Sequence, residues 1–161
     1  MIHSIDLKTL EYTPQSKSRY ASVRIARENV DPAKRFNALA NGQDIAGEFI
    51  WAVTSRALLY SANRLPEIAD DIVNIDNAMK WGFAWSKGPF EMWDDLGVLQ
   101  TIERMKSDGR VMPEWVNQMT KSGFTTFYDY IDGKECYYDP ESNAYKPAVK
   151  SEKELSFNIL K

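Results

Sequence analysis

His3 is the only histidine of this 161-residue chain and Cys136 the only cysteine. A histidine-centred acid–base dyad or a multi-histidine metal site is therefore not expected, and no intrachain disulfide can form. Cys136 falls on a predicted strand with no histidine beside it and reads as an inert thiol. The acidic residues Glu67, Asp70, Asp71 and Asp76 read as a solvated turn at a helix start, where the helix dipole favours negative charge, in preference to a metal site. Arg56, Arg64 and Lys80 carry the charge to meet phosphate groups, but they read as residues of solvated helix faces. The glycines are Gly42, Gly47, Gly82, Gly88, Gly97, Gly109, Gly123 and Gly133. No two are separated by a single residue, so neither a G-x-G-x-x-G fingerprint nor a Walker loop exists. The chain is accordingly assigned no catalytic, cofactor-binding or metal-ligating residue of its own.

The elements that must position any site are marked by proline and glycine, which favour the first helical turn and the residue after the last. Asp31-Pro32 opens a short helix that Asn41-Gly42 closes. Asp44 caps a long helix from Ile45 to about Leu65, with Ile45, Phe49, Ala52, Val53, Ala57 and Tyr60 as its apolar face. Pro66 starts the acidic turn. Asn74 caps Ile75–Trp81, with Gly82 as the stop. Pro89 starts Phe90–Leu96, closed by Gly97; Val98–Ser107 follows, closed near Gly109; Pro113 starts Glu114–Ser122, closed by Gly123. Ser18–Asn29 reads as a further helix. Aromatic and β-branched runs on either side of Asp132-Gly133 predict a hairpin. Ser151 with Glu154 forms a capping box, as if another helix began there.

Net charge is −3, which argues against a nucleic-acid surface. No apolar run approaches the ~20 residues of a membrane span, and the N-terminus lacks signal-peptide character. A cytoplasmic, reducing compartment fits the single cysteine. One internal echo stands out. Asp139, Ser142, Tyr145 and Pro147 repeat the spacing of Asp6, Thr9, Tyr12 and Pro14, offset by 133 residues. Either this is coincidence, or residues 1–14 are the tail of a preceding, similar domain. The second reading divides the chain into that tail, a helical domain over 15–124, a hairpin and tail over 125–150, and the start of a further segment over 151–161.

The segment Ala78-Met79-Lys80-Trp81-Gly82-Phe83, followed by Gly88-Pro89-Phe90-Glu91 and Gly97, resembles the signature of the C-terminal domain of 3-hydroxyacyl-CoA dehydrogenases. The likeness is best over Gly47–Gly97. In detail it is to the second, later domain of this type in long bacterial enzymes. It implies an all-α, multi-helix fold like the C-terminal domain of 6-phosphogluconate dehydrogenase, here with a small C-terminal β-hairpin. It also implies a parent enzyme of fatty-acid β-oxidation that oxidises a 3-hydroxyacyl-CoA with NAD. In the family a separate Rossmann domain binds NAD and supplies a His–Glu pair; this chain has neither. Gly88-Pro89-Phe90-Glu91 is expected to be a structural helix start, since Pro89 pre-sets φ and Glu91 sits in the first turn. Trp51, Trp81, Phe83, Trp85, Phe90 and Trp93 are expected to be core and interdomain contacts rather than an acyl pocket.

Competent copies of the family's domain carry an Asn-Arg pair early in the long helix. Counting back from Ala78 places Trp51-Ala52 there, and an indole offers one donor and no acceptor where Asn offers both. The resemblance thus implies a non-catalytic helical module that shapes the acyl-CoA cleft or supports a homodimer, with the parent's other domains as partners. A catalytic half-domain touching acyl-CoA and a free-standing helical binding protein are the alternatives. With no phosphate-cradling loop at a helix start, the isolated chain is expected to give no binding isotherm in calorimetric titration with NADH.

Overall fold

The computed structural model describes residues 2–14 and 19–148. Among them are seven helices: α1 Ala21–Glu28, α2 Pro32–Ala40, α3 Ile45–Asn63, α4 Ile72–Phe83, α5 Pro89–Leu96, α6 Val98–Ser107 and α7 Glu114–Lys121. Strands β1 His3–Ile5 and β2 Tyr12–Pro14 form one antiparallel hairpin; β3 Tyr128–Ile131, β4 Lys134–Asp139 and β5 Ala144–Pro147 form an antiparallel sheet in that order. The expected hairpin around Asp132-Gly133 is present, and both turn residues adopt positive φ. The chain is predominantly helical with a small C-terminal sheet, as expected; β5 adds a third strand to the hairpin, and β1–β2 form a second sheet. The Ser151–Glu154 capping box lies outside the described residues.

Local chemistry explains most boundaries. Asp31 accepts hydrogen bonds from Ala33 and Lys34 N–H and opens α2 with Pro32 at its first position. Asp44 accepts from Gly47 N–H at the start of α3, and its other contacts, Ser22 N–H and Ser22 Oγ, tie α1 to the same point. A Cβ on Gly47 would collide with the backbone of Gly42. The turn before α3 therefore closes against the helix only because both positions lack a side chain. For α4 the sequence reading erred. Asp71, not Asn74, is the cap, accepting from Asn74 N–H at 2.7 Å. The helix runs through Gly82 and ends at Ala84 in the left-handed conformation.

The core is built on α3, α5, α6 and α7. Leu58, Ala62, Phe90, Trp93, Met105, Val116 and Met119 are buried, and Phe127 and Tyr138 bring the sheet into the same cluster. Rings interlock at the junction: Phe127 meets Phe90 at 5.0 Å and Trp93 at 5.1 Å. The expected apolar face of α3 is its exposed face. Ile45, Phe49, Val53 and Tyr60 are all more than half exposed, whereas Gly47, Trp51, Ser55, Leu58 and Ala62 point inward. Both stripes have helical spacing. The inner one holds several small residues that let neighbouring elements approach, so counting large apolar residues selects the wrong side.

Gly47→Ala should destabilise the fold by about 1–3 kcal/mol, since backbone must move to admit one methyl group. The midpoint of urea unfolding measures this. Gly109→Ala is the comparison in open space, where only the cost of positive φ applies.

Candidate functional site: the junction of α4 and α5

α5 begins in the protein interior, so its first N–H groups need acceptors other than water. Its N-cap is Gly88, which has no side chain to supply one. The acceptor comes from α4. Asp76 is fully buried; its Oδ1 accepts from Phe90 N–H at 2.9 Å and its Oδ2 from Glu91 N–H at 3.1 Å. The Tyr128 hydroxyl donates to the same Oδ2 at 2.9 Å. A Cβ on Gly88 would overlap Asp76, so glycine is what lets the two helices come this close. Glu91 reaches back to accept from Gly88 N–H at 2.7 Å, and its second oxygen pairs with Lys80 Nζ at 2.7 Å. Pro89, buried at the first helical position, has no N–H to satisfy.

Lys80, Gly88, Pro89, Phe90 and Glu91 thus form one mechanical unit. Asp76 was misread as part of a solvated turn. Its signal was its place two residues before Ala78 on the buried side of a helix, level with Ile72 and Ile75. Lys80 was likewise read as lying on a solvated face, and it is half-buried in the pair with Glu91. Glu67 and Asp70 are exposed, and Asp71 caps α4. Among the described residues no group of three His, Cys, Asp or Glu is placed to hold a metal ion.

A second carboxylate fastens the sheet. Asp94 on α5 accepts from Phe127 N–H at 2.7 Å and Tyr128 N–H at 2.9 Å. Desolvation pushes the carboxyls of both Asp76 and Asp94 up to about 7, against the pull of their backbone donors. Asp44, fed by Ser22 and Gly47 donors, is instead held at about 2. Such raised values are often found at catalytic acids. Here Asp76 has no exposed surface, and all its contacts are internal donors, so it cannot meet a substrate.

Trp51 is buried on α3. Its indole N–H donates to Asp108 Oδ2 at 2.7 Å, and the Arg104 guanidinium stacks on its ring at 3.8 Å. Phe90 and Trp93 are core; Trp81 and Phe83 are more than 70% exposed, with Trp85 at 38%. Ala78, Met79 and Pro89 border a groove of about 350 Å³ between α3 and α4, together with Tyr60, Phe83 and Trp85. Its lining includes Ser61, Arg64 and Asn74 but no carboxylate, histidine or cysteine. This groove offers apolar contact, not acid–base chemistry. Arg64 pairs with Glu67, Arg56 is exposed, and Cys136 is buried on β4. Gly97 joins α5 to α6 at φ +82°. Gly82, within α4, has open space beside it.

A probable 3-hydroxyacyl-CoA dehydrogenase of Bacillus subtilis (strain 168) is 39% identical over 160 residues, 99% of this chain. The chain is a homologue of one segment of a 3-hydroxyacyl-CoA dehydrogenase polypeptide. It spans only 20% of that relative's length. Weaker similarity extends to two proteins named "Putative fatty acid oxidation complex trifunctional enzyme". The one from Rickettsia felis is 30% identical over 55% of this chain and 11% of its own length; the one from Rickettsia prowazekii is 32% identical over 35% and 8%. No family model and no solved structure matches the chain. No helix among the described residues is long and apolar enough to cross a membrane.

Removing Asp76 strands two buried backbone donors, each costing about 1–3 kcal/mol. Asp76→Ala should therefore lower stability by about 3 kcal/mol or more. The pH dependence follows from the raised values. Between about 4 and 7 the folded state keeps protons on Asp76 and Asp94 that the unfolded chain releases. Their contribution is fully present below pH 4 and lost as pH rises through 7. Urea midpoints should fall from pH 5 to pH 8, and the Asp76→Asn, Asp94→Asn double variant should flatten that fall.

Proposed function

We propose that this chain is a non-catalytic helical module of an NAD-dependent 3-hydroxyacyl-CoA dehydrogenase of fatty-acid β-oxidation. In this reading its fold is of the 6-phosphogluconate dehydrogenase C-terminal type. It packs beside the catalytic portion, shapes the acyl-CoA cleft or a dimer contact, and leaves NAD to another domain. The observation that carries the reading is the two-sided α3. Where competent copies hold an Asn, Trp51 faces inward, its only donor engaged by Asp108. The opposite side presents Ile45, Phe49, Val53 and Tyr60 to solvent, each more than half exposed, and exposed apolar residues grouped on one face are what an interaction surface uses. Trp81 and Phe83 at the end of α4 add to the exposed surface near the groove. Ala78, Met79, Lys80, Gly82, Gly88, Pro89, Phe90, Glu91 and Gly97 serve the module's architecture, and its apolar outer face serves its neighbours.

The test is Trp51→Phe in the full dehydrogenase polypeptide. Loss of the indole hydrogen bond and part of the cation–π contact should cost about 1–2 kcal/mol of stability, while turnover stays within about twofold of wild type. A fall in kcat of about a hundredfold with the fold intact, equivalent to about 2.7 kcal/mol of lost transition-state stabilisation, would overturn the reading.

A further inference from the structure

The two ends of the described chain carry the same device. In β4–β5 the pairs are Cys136 with Pro147, Tyr137 with Lys146 and Tyr138 with Tyr145. In β1–β2 they are His3 with Pro14, Ser4 with Thr13 and Ile5 with Tyr12. Every pair is displaced by the same 133 residues. The turns match as well. Asp139 Oδ2 accepts from Ser142 N–H, and Asp6 Oδ1 from Thr9 N–H. The left-handed residue is Asn143 in one and Leu10 in the other, with φ 50° and 62°. A leucine adopts that conformation at a cost. Three identical residues and a Ser/Thr pair at one spacing, an identical three-pair register and a matched backbone inversion together make one repeated motif.

The copies differ in what they touch. In β4–β5, Tyr138 is fully buried against Phe124 and Trp115. Tyr145 packs on Phe124 and bonds Thr126, and Tyr138 N–H donates to Phe127 O at the edge extended by β3. The counterparts Ile5 and Tyr12 are 45% and 76% exposed, and among the described residues β1 has no third strand beside it. Leu7 and Leu10, in the turn, are also exposed. A lone two-stranded hairpin is marginal in water, and its open edge invites pairing.

We propose that β1–β2 is the closing hairpin of a second helical body of this same architecture, placed before this one in the parent polypeptide. Ile5 and Tyr12 seat on that body as Tyr138 and Tyr145 seat on this one, and Ile5 N–H bonds a strand equivalent to β3. The inference rests on the reading of the chain as a segment of a longer polypeptide, but not on its being non-catalytic. The offset argues for this occupant: 133 residues is the length of one helical body with its hairpin. A second copy of this chain is a poorer host, because its seat is already filled by its own β4–β5.

Hydrogen exchange decides the matter. In the full polypeptide the Ile5 amide should exchange about a hundredfold more slowly than in the 161-residue chain. Tyr12→Ala should accelerate it there, and leave the melting temperature of the 161-residue chain unchanged. Equal exchange in both contexts would overturn the proposal. So would protection in the 161-residue chain that grows with its concentration, which would identify a second copy as the host. The kcat of Trp51→Phe is a separate readout, so either idea can fail alone.

Discussion

A single buried carboxylate governs how this molecule is put together. Asp76 stands on α4, yet it terminates α5, because the glycine at the start of that helix has nothing to offer its own N–H groups. One of its oxygens, Oδ2, also accepts the hydroxyl of Tyr128 from the sheet. One side chain thereby fixes the distance between two helices and the height of the sheet above them. Around it, each neighbour is chosen by what the contact permits. Gly88 makes room, Pro89 needs no acceptor, Glu91 closes the remaining donor, and Lys80 neutralises Glu91. Asp94 repeats the device farther along α5 for the start of β3.

This reframes what the Gly-Pro-Phe-Glu signature means. Short motifs near a cleft invite a catalytic interpretation, but here each member has a stated mechanical duty, and the weakened acidity of Asp76 and Asp94 follows first from burial, with neighbouring carboxylates adding to it. The exposed surface next to this junction carries Trp81, Phe83 and Trp85.

Local rules made much of the fold legible. Proline and glycine bracketed α2, α5, α6 and α7 because those boundaries are set within a few residues. Asp132-Gly133 announced its turn for the same reason. What stayed hidden depended on partners distant in sequence. The burial of Asp76 is meaningful only once α5 is laid against α4. β5 is a four-residue strand ending in proline, recognisable through its pairing with β4. The cap of α4 was misplaced by three residues because Asp71 and Asn74 are both competent, and the bond between them makes one the acceptor and the other the donor. The repeated Asp-Tyr-Pro spacing was visible at once, but only the strand register turned it into structure.

α3 illustrates a different kind of selection. Its outward side is richer in large apolar residues than much of its inward side, so solvation alone would set the helix the other way round. What orients it is steric admission. Gly47 lets the preceding turn touch the helix, Ser55 folds its hydroxyl back onto the Trp51 carbonyl at 2.6 Å, and Ala62 occupies little space beside α7. Trp51 and Leu58 enter between these small positions. The helix is therefore oriented like a key, by the cuts on one edge, with its teeth facing solvent.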